Sequence, residues 1–214
     1  MKTDQIDHLI TQLKHQAEEI VKRGGNVRVE ISQLVSDASG KFYQVKDGLT
    51  ELVKAVSEGA TSGAKEALPD KAESVLRSVV DGLTDGLAKS AEAVRLTLEE
   101  SGASGVHFAR EDLDKIAKDF RATGELFVSV VSDAATKLGG HLGQQVRTMS
   151  EHALKALQSV RPSLESAITA AANNPVKLGR ESVHAGTSAV QQAAGVLFSE
   201  LGKHLQSVGD KLRR

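Results

Sequence analysis

The sequence predicts an all-α protein: long amphipathic helices in an elongated bundle or right-handed coiled coil, forming one domain over residues 1–214. Three observations carry that expectation. Apolar residues recur in a 4-3-4 spacing that keeps them on one face of a helix. No segment sustains the alternation of a half-buried strand. The composition is 40% hydrophobic but only 3% aromatic, with one Tyr and no Trp. Aromatic side chains supply the large buried areas of thick cores, so their scarcity favours thin seams between helices.

The elements follow from start and stop signals. A first helix near 3–23 carries Ile6, Ile10, Leu13, Ala17 and Val21 and ends at the Gly24-Gly25 pair. A second, near 27–38, stops within "SDASGKF" (Ser36 to Phe42), which reads as a turn or joint. A third, 42–67, carries Val45, Leu49, Leu52, Val56 and Ala60 and ends before Pro69; a fourth spans 70–101. "SGASG" (Ser101 to Gly105) leaves two readings open. It is a turn between antiparallel helices, or a continuing helix whose glycines admit a neighbouring backbone at a cost of about 2 kcal/mol. A fifth helix, 107–172, contains Arg161-Pro162, which either kinks it or opens a new helix, and stops at "AANNP". A sixth covers 176–212.

One apolar stripe can be followed from Leu76 to the end of the chain in steps of four, three and four. Its large members are Leu76, Val80, Leu83, Leu87, Val94, Leu98, Leu113, Ile116, Phe120, Phe127, Val131, Leu138, Leu142, Val146 and Met149. It continues through Leu157, Val160, Leu164, Ile168, Val190, Leu197, Leu201, Val208 and Leu212. Of the 38 positions on this count 30 are apolar and none is charged, although charged residues make up 26% of the chain. Composition alone does not produce that. Eleven residues in three turns is about 3.67 per turn, close to the helical 3.6, so the stripe stays nearly straight and drifts with a right-handed sense.

Composition narrows the function. Lys plus Arg number 27 against 28 acids, which favours neither nucleic acid nor an acidic substrate. There is no Cys, so disulfides, thiolate metal sites and thiol nucleophiles are excluded. The start "MKTDQIDHLITQLK" does not read as a signal peptide, and no apolar run approaches the roughly 20 residues of a membrane span. The expected location is cytoplasmic, or peripheral to a membrane or inclusion.

No catalytic, cofactor-binding or metal-ligating residue is expected. His141 and His152 share a helix face but lie about 16.5 Å apart, too far for one metal ion. "LGGHLGQQ" (Leu138 to Gln145) lacks the Lys-Ser/Thr ending of a phosphate loop, and "HAGTSAV" (His184 to Val190) lacks the elbow of a serine hydrolase. Glu111, Asp112 and Asp114 beside Lys115 and Lys118 read as a solvated helical face.

The segments "AVSEGATSGAKEAL", "GLAKSAEAVRLTLEE" and "FVSVVSDAATKLGG", all after Phe42, resemble a bacterial family of all-helical proteins of unassigned function. That resemblance implies a helical fold and supplies no site residues. More loosely, the Ala/Lys/Glu/Ser-rich helices resemble phasins, which coat polyester storage granules. The expected function is a non-enzymatic helical interaction protein that self-associates through the stripe as a homo-oligomer. The alternative is a phasin-like coat on a lipid or polymer surface. Neither nucleic acid nor a small-molecule substrate is expected as partner, and no cofactor is expected.

Overall fold

The computed structural model describes residues 3–43, 45, 47–67, 71–103, 109–137 and 140–173. Among the described residues every long element is a helix: α1 (Thr3–Arg23), α2 (Val27–Phe42), α3 (Gly48–Ala67), α4 (Ala72–Ala103), α5 (Arg110–Thr136) and α6 (Gly140–Asn173). They form a helical bundle.

α1 buries Leu13, Ala17, Ile20 and Val21, the three-and-four spacing of an amphipathic face. It stops where Gly24 and Gly25 adopt φ of 72° and 86°. There the Gly24 N–H donates back to the carbonyls of Ile20 and Val21 at 3.2 and 3.1 Å, closing the helix end. The Asn26 side chain then caps α2 by accepting the Val29 N–H.

α2 runs past the expected stop at residue 38, through Ser39 and Gly40 to Phe42. Packing overrides the local turn signal: Ser36, Ala38, Ser39 and Phe42 are all buried, and Ser39 Oγ lies 2.5 Å from Ser90 Oγ of α4. The third helix consequently starts later than expected, at Gly48, after Asp47 takes a φ of 55°. α4 runs on through Ser101, Gly102 and Ala103, and α5 begins at Arg110; Ser104 and Gly105, the rest of the expected "SGASG" turn, lie outside the described residues. The expected helix 107–172 is two helices, α5 and α6. Gly139-Gly140 sits at the division, where two glycines weaken a helix by about 2 kcal/mol. Pro162 lies inside α6, which continues through it. The expected helix 176–212 lies outside the described residues.

The topology is a stack of three hairpins. α1 packs on α3 and α3 on α5; α2 packs on α4 and α4 on α6. Each stacked pair is parallel. Lys14 and Glu18 of α1 meet Gly59 and Gly63 of α3 in the same order, and Arg28 and Ser32 of α2 meet Gly82 and Gly86 of α4. Thr50 reaches Thr123 at 3.3 Å, and further along Glu58 reaches Lys137 at 3.1 Å, which sets α3 parallel to α5. Within the last hairpin the order reverses: Arg121 meets Glu165 while Gly124 faces Leu154. Odd-numbered helices therefore run one way and even-numbered helices the other.

The two tightest seams are made by glycines four residues apart. A Cβ on Gly59 would overlap the Lys14 carbonyl oxygen, and one on Gly63 would lie 2.6 Å from that of Glu18. A Cβ on Gly82 would lie 2.6 Å from the Arg28 carbonyl oxygen, and one on Gly86 2.9 Å from that of Ser32. Backbone thus meets backbone, as in small-residue helix crossings generally. Both pairs sit in related sequences, "EGATSG" (Glu58 to Gly63) and "DGLTDG" (Asp81 to Gly86), with Thr61 and Thr84 buried at the same place.

These contacts reverse the usual effect of a Gly→Ala change in a helix, which gains up to about 1 kcal/mol. Gly59→Ala and Gly82→Ala should instead destabilise by about 1–3 kcal/mol through overpacking. Gly40→Ala, where a Cβ would find open space, should be neutral or stabilising. Urea unfolding followed by circular dichroism checks all three, and a stabilised Gly59→Ala would refute the close crossing.

Candidate functional site

The stripe residues within the described set face inward. Leu76, Val80, Leu83, Leu87, Val94 and Leu98 of α4 are buried, as are Leu113, Ile116, Phe127 and Val131 of α5 and Val146, Leu164 and Ile168 of α6. Phe120, Met149, Leu157 and Val160 are only partly covered. Leu138, Val190, Leu197, Leu201, Val208 and Leu212 lie outside the described residues, and the side chain of Leu142 is likewise not described.

The partly covered residues gather where α6 meets α4 and α5. Three cavities follow the α4–α6 seam, of about 560, 270 and 580 Å³. From Arg77 to Glu99 the α4 side of the seam is about 33 Å long at 1.5 Å per residue. Its walls are rich in small side chains, among them Ala88 and Ala91 on α4 and Ala153, Ala156, Ala167 and Ala170 on α6. No glycine brings the two backbones together there among the described residues. Larger residues hold them apart and alanines leave the space between unfilled.

The middle cavity, 270 Å³, is the most apolar part and reaches beneath the seam to α5. Leu87 and Ala91, Phe120 and Gly124, and Leu157 and Leu164 form its walls. Exposed Arg121, Glu125 and Gln158 and half-buried Arg161 mark its opening. Arg161 Nε donates to Glu165 Oε1 at 2.7 Å and Arg121 Nη2 to the same oxygen at 3.2 Å. Those guanidiniums, Arg161 foremost, hold the Glu165 carboxyl below its usual range.

Behind the Phe120 wall lies a buried polar cluster. Tyr43 packs against Phe120 with ring centroids 5.7 Å apart and ring planes tilted by 38°. Its hydroxyl is buried beside Ser39 and Ser90, which bond each other at 2.5 Å and leave it without a well-formed hydrogen bond of its own. Burial pushes the phenol up. Asp119 is 5% exposed and its Oδ2 has no hydrogen-bond partner. Burial pushes its carboxyl up to about 6, and the Asp47 charge acts the same way, against Lys115 and the Asp47 backbone N–H. The stripe count passed over Tyr43 and Asp119; the available signal was the chain's only Tyr. The glycine pairs were equally unmarked, although the two acid-Gly-x-Thr segments repeat within view.

Folded Asp119 holds its proton more tightly than the unfolded chain does. Its contribution to stability is therefore full below about pH 4 and is lost as pH rises toward 6. From an ordinary value of 3.8 to about 6, the loss comes to about 3 kcal/mol. Asp119→Asn should remove it, so the variant should be the more stable protein at pH 8. The two should respond alike below pH 4. Urea midpoints across that range decide, and an unchanged pH dependence would mean that Asp119 ionises without penalty.

Among the described residues no group of three or more acidic or histidine side chains could hold a metal ion, and no helix is long and apolar enough to cross a membrane. No curated protein and no solved structure matches the chain. A family of unknown function, DUF6781, matches residues 2–208, and to that family the chain belongs.

Proposed function

We propose that the protein is a non-enzymatic helical interaction protein that self-associates, the α4–α6 seam receiving an apolar helix of a second copy. The partial cover of Met149, Leu157 and Val160 carries this reading. The eleven-residue stripe that is buried along α4 is left half open along α6, beside a groove with Ala and Ser walls. An amphipathic helix laid into such a groove buries its own stripe by the same contacts. A groove of small side chains lets the entering helix approach closely. The stripe positions of residues 176–212 supply a segment of suitable character within the same chain.

Light scattering coupled to chromatography should give a mass of at least two chains. Ala156→Asp and Ala170→Asp place a charge on exposed positions of the groove wall and should reduce the mass to one chain without loss of helix. Gln144→Asp, exposed and outside the groove, should change nothing. A wild-type protein that runs as a monomer at all concentrations would refute self-association.

A coat on a lipid or polymer surface is the second reading. The supporting observation is the basic segment after Asn174, with six Lys/Arg against three acids, together with Leu126 at 46% and Val29 at 55% exposure. An interfacial helix of that kind gains order when an apolar surface is offered. Vesicles of anionic lipid should then raise the helical signal of the full chain markedly. A self-associating bundle should be indifferent to them.

A further inference from the structure

We propose that the 270 Å³ cavity beneath the seam is a binding site for a medium-chain amphiphile, an acyl chain of about ten carbons with a carboxylate head. The size follows from comparison with known apolar cavities, in which about 150 Å³ accommodates a benzene ring. Leu87, Ala91, Phe120, Leu157 and Leu164 give the interior no hydrogen-bonding group that a hydrocarbon would leave unsatisfied. Thr123, also on the wall, is already turned to Thr50 at 3.3 Å. Such a space excludes polar ligands and rewards apolar ones.

The head group is set by the opening. Arg121 and Arg161 carry ten N–H donors between them and direct two of them at one oxygen of Glu165. That leaves two guanidiniums able to take a second carboxylate, the acceptor their planar geometry fits best. Glu165 and Glu125 are the two charges near the rim that oppose an anion, and the head must share the guanidiniums with Glu165 through their remaining donors. The chain of the ligand would lie against α4 and α6, and its head would meet α5 and α6 at the surface. This goes beyond self-association and does not require it, because all three helices come from one chain.

Equilibrium dialysis of the full chain against radiolabelled decanoate and, separately, radiolabelled 1-decanol tests the assignment. Wild-type protein should take up one decanoate per chain, saturably. Gly124→Leu extends a side chain into the cavity from a position where even a Cβ would lie 3.9 Å from Leu154 Cδ1. It should weaken binding at least about tenfold while the helical signal is kept. Should that variant not fold, Ala91→Leu fills the space from the opposite wall. Arg161→Gln should weaken decanoate by about tenfold or more and leave decanol nearly unchanged, since it removes a charged partner and no apolar wall. Glu125→Gln should strengthen decanoate. Absence of saturable uptake by wild type, or equal uptake by the filled cavity, would overturn the site. Equal retention of decanoate and decanol by wild type, unmoved by Arg161→Gln, would overturn the carboxylate head. Repeating the measurement with Ala156→Asp separates this outcome from the oligomeric state.

Discussion

Two glycine pairs hold α3 on α1 and α4 on α2 closely enough for carbonyl oxygens to stand where a Cβ would be. Helices separated by ordinary side chains lie about 8–10 Å apart and can slide by a fraction of a turn without great loss. A backbone crossing cannot. Screwing α3 by one residue along α1, a shift of about 1.5 Å with the matching rotation, would drive Glu58 or Ala60 into the Lys14 carbonyl in place of Gly59. The contact therefore fixes direction and register together, and the remaining contacts inherit both. Ser39 meets Ser90 because Gly82 and Gly86 have set α4 on α2. Glu58, next to Gly59, is brought within 3.1 Å of both Lys14 and Lys137, one on each side. Exposed ion pairs of that kind contribute about 1 kcal/mol or less each, so they follow the register more than they set it.

Packing changes character across the stack. The first two hairpins meet backbone to backbone along the glycine seams. The third meets the second through side chains of unequal size. Leu87, Leu157 and Leu164 act as spacers, and the alanines between them cannot reach across. A void forfeits dispersion contacts on the atoms that line it, so this part of the molecule is held less strongly. The polar cluster sits at the boundary between the two regimes. Asp119 and Tyr43 are both taken out of water without full compensation, which a uniformly packed core would not tolerate cheaply.

Helical class, the end of α1 at Gly24-Gly25, the end of α3 at Ala67 and most of the inward faces were legible in the sequence, because periodicity reports which side of a helix is apolar. Leu83 and Val131 are buried as that periodicity implies. What it cannot report is which helix faces which. The partner of α4 is chosen by Gly82 and Gly86, positions that a hydrophobic count scores as blanks. Ser39 and Gly40 read as a joint for the same reason: small polar residues signal a turn when nothing presses on them and a close contact when something does. The division between α5 and α6 falls on a stripe that keeps its spacing through Gly139-Gly140, so the apolar count hid a break that the glycines announced. The cavity was beyond reach altogether, since it arises from the mismatch of three helices and from no feature of any one.

The alternation of odd and even helices has a consequence for synthesis. Each helix lies beside the one two places earlier, and the glycine contacts join residues only 45 and 54 positions apart. When α3 leaves the ribosome its template α1 is complete, and the same holds for α4 on α2. The chain can be assembled from its N-terminus with no early segment waiting long for a distant partner, as domains that fold during translation require. Among the described residues the loosest layer is then the last to arrive.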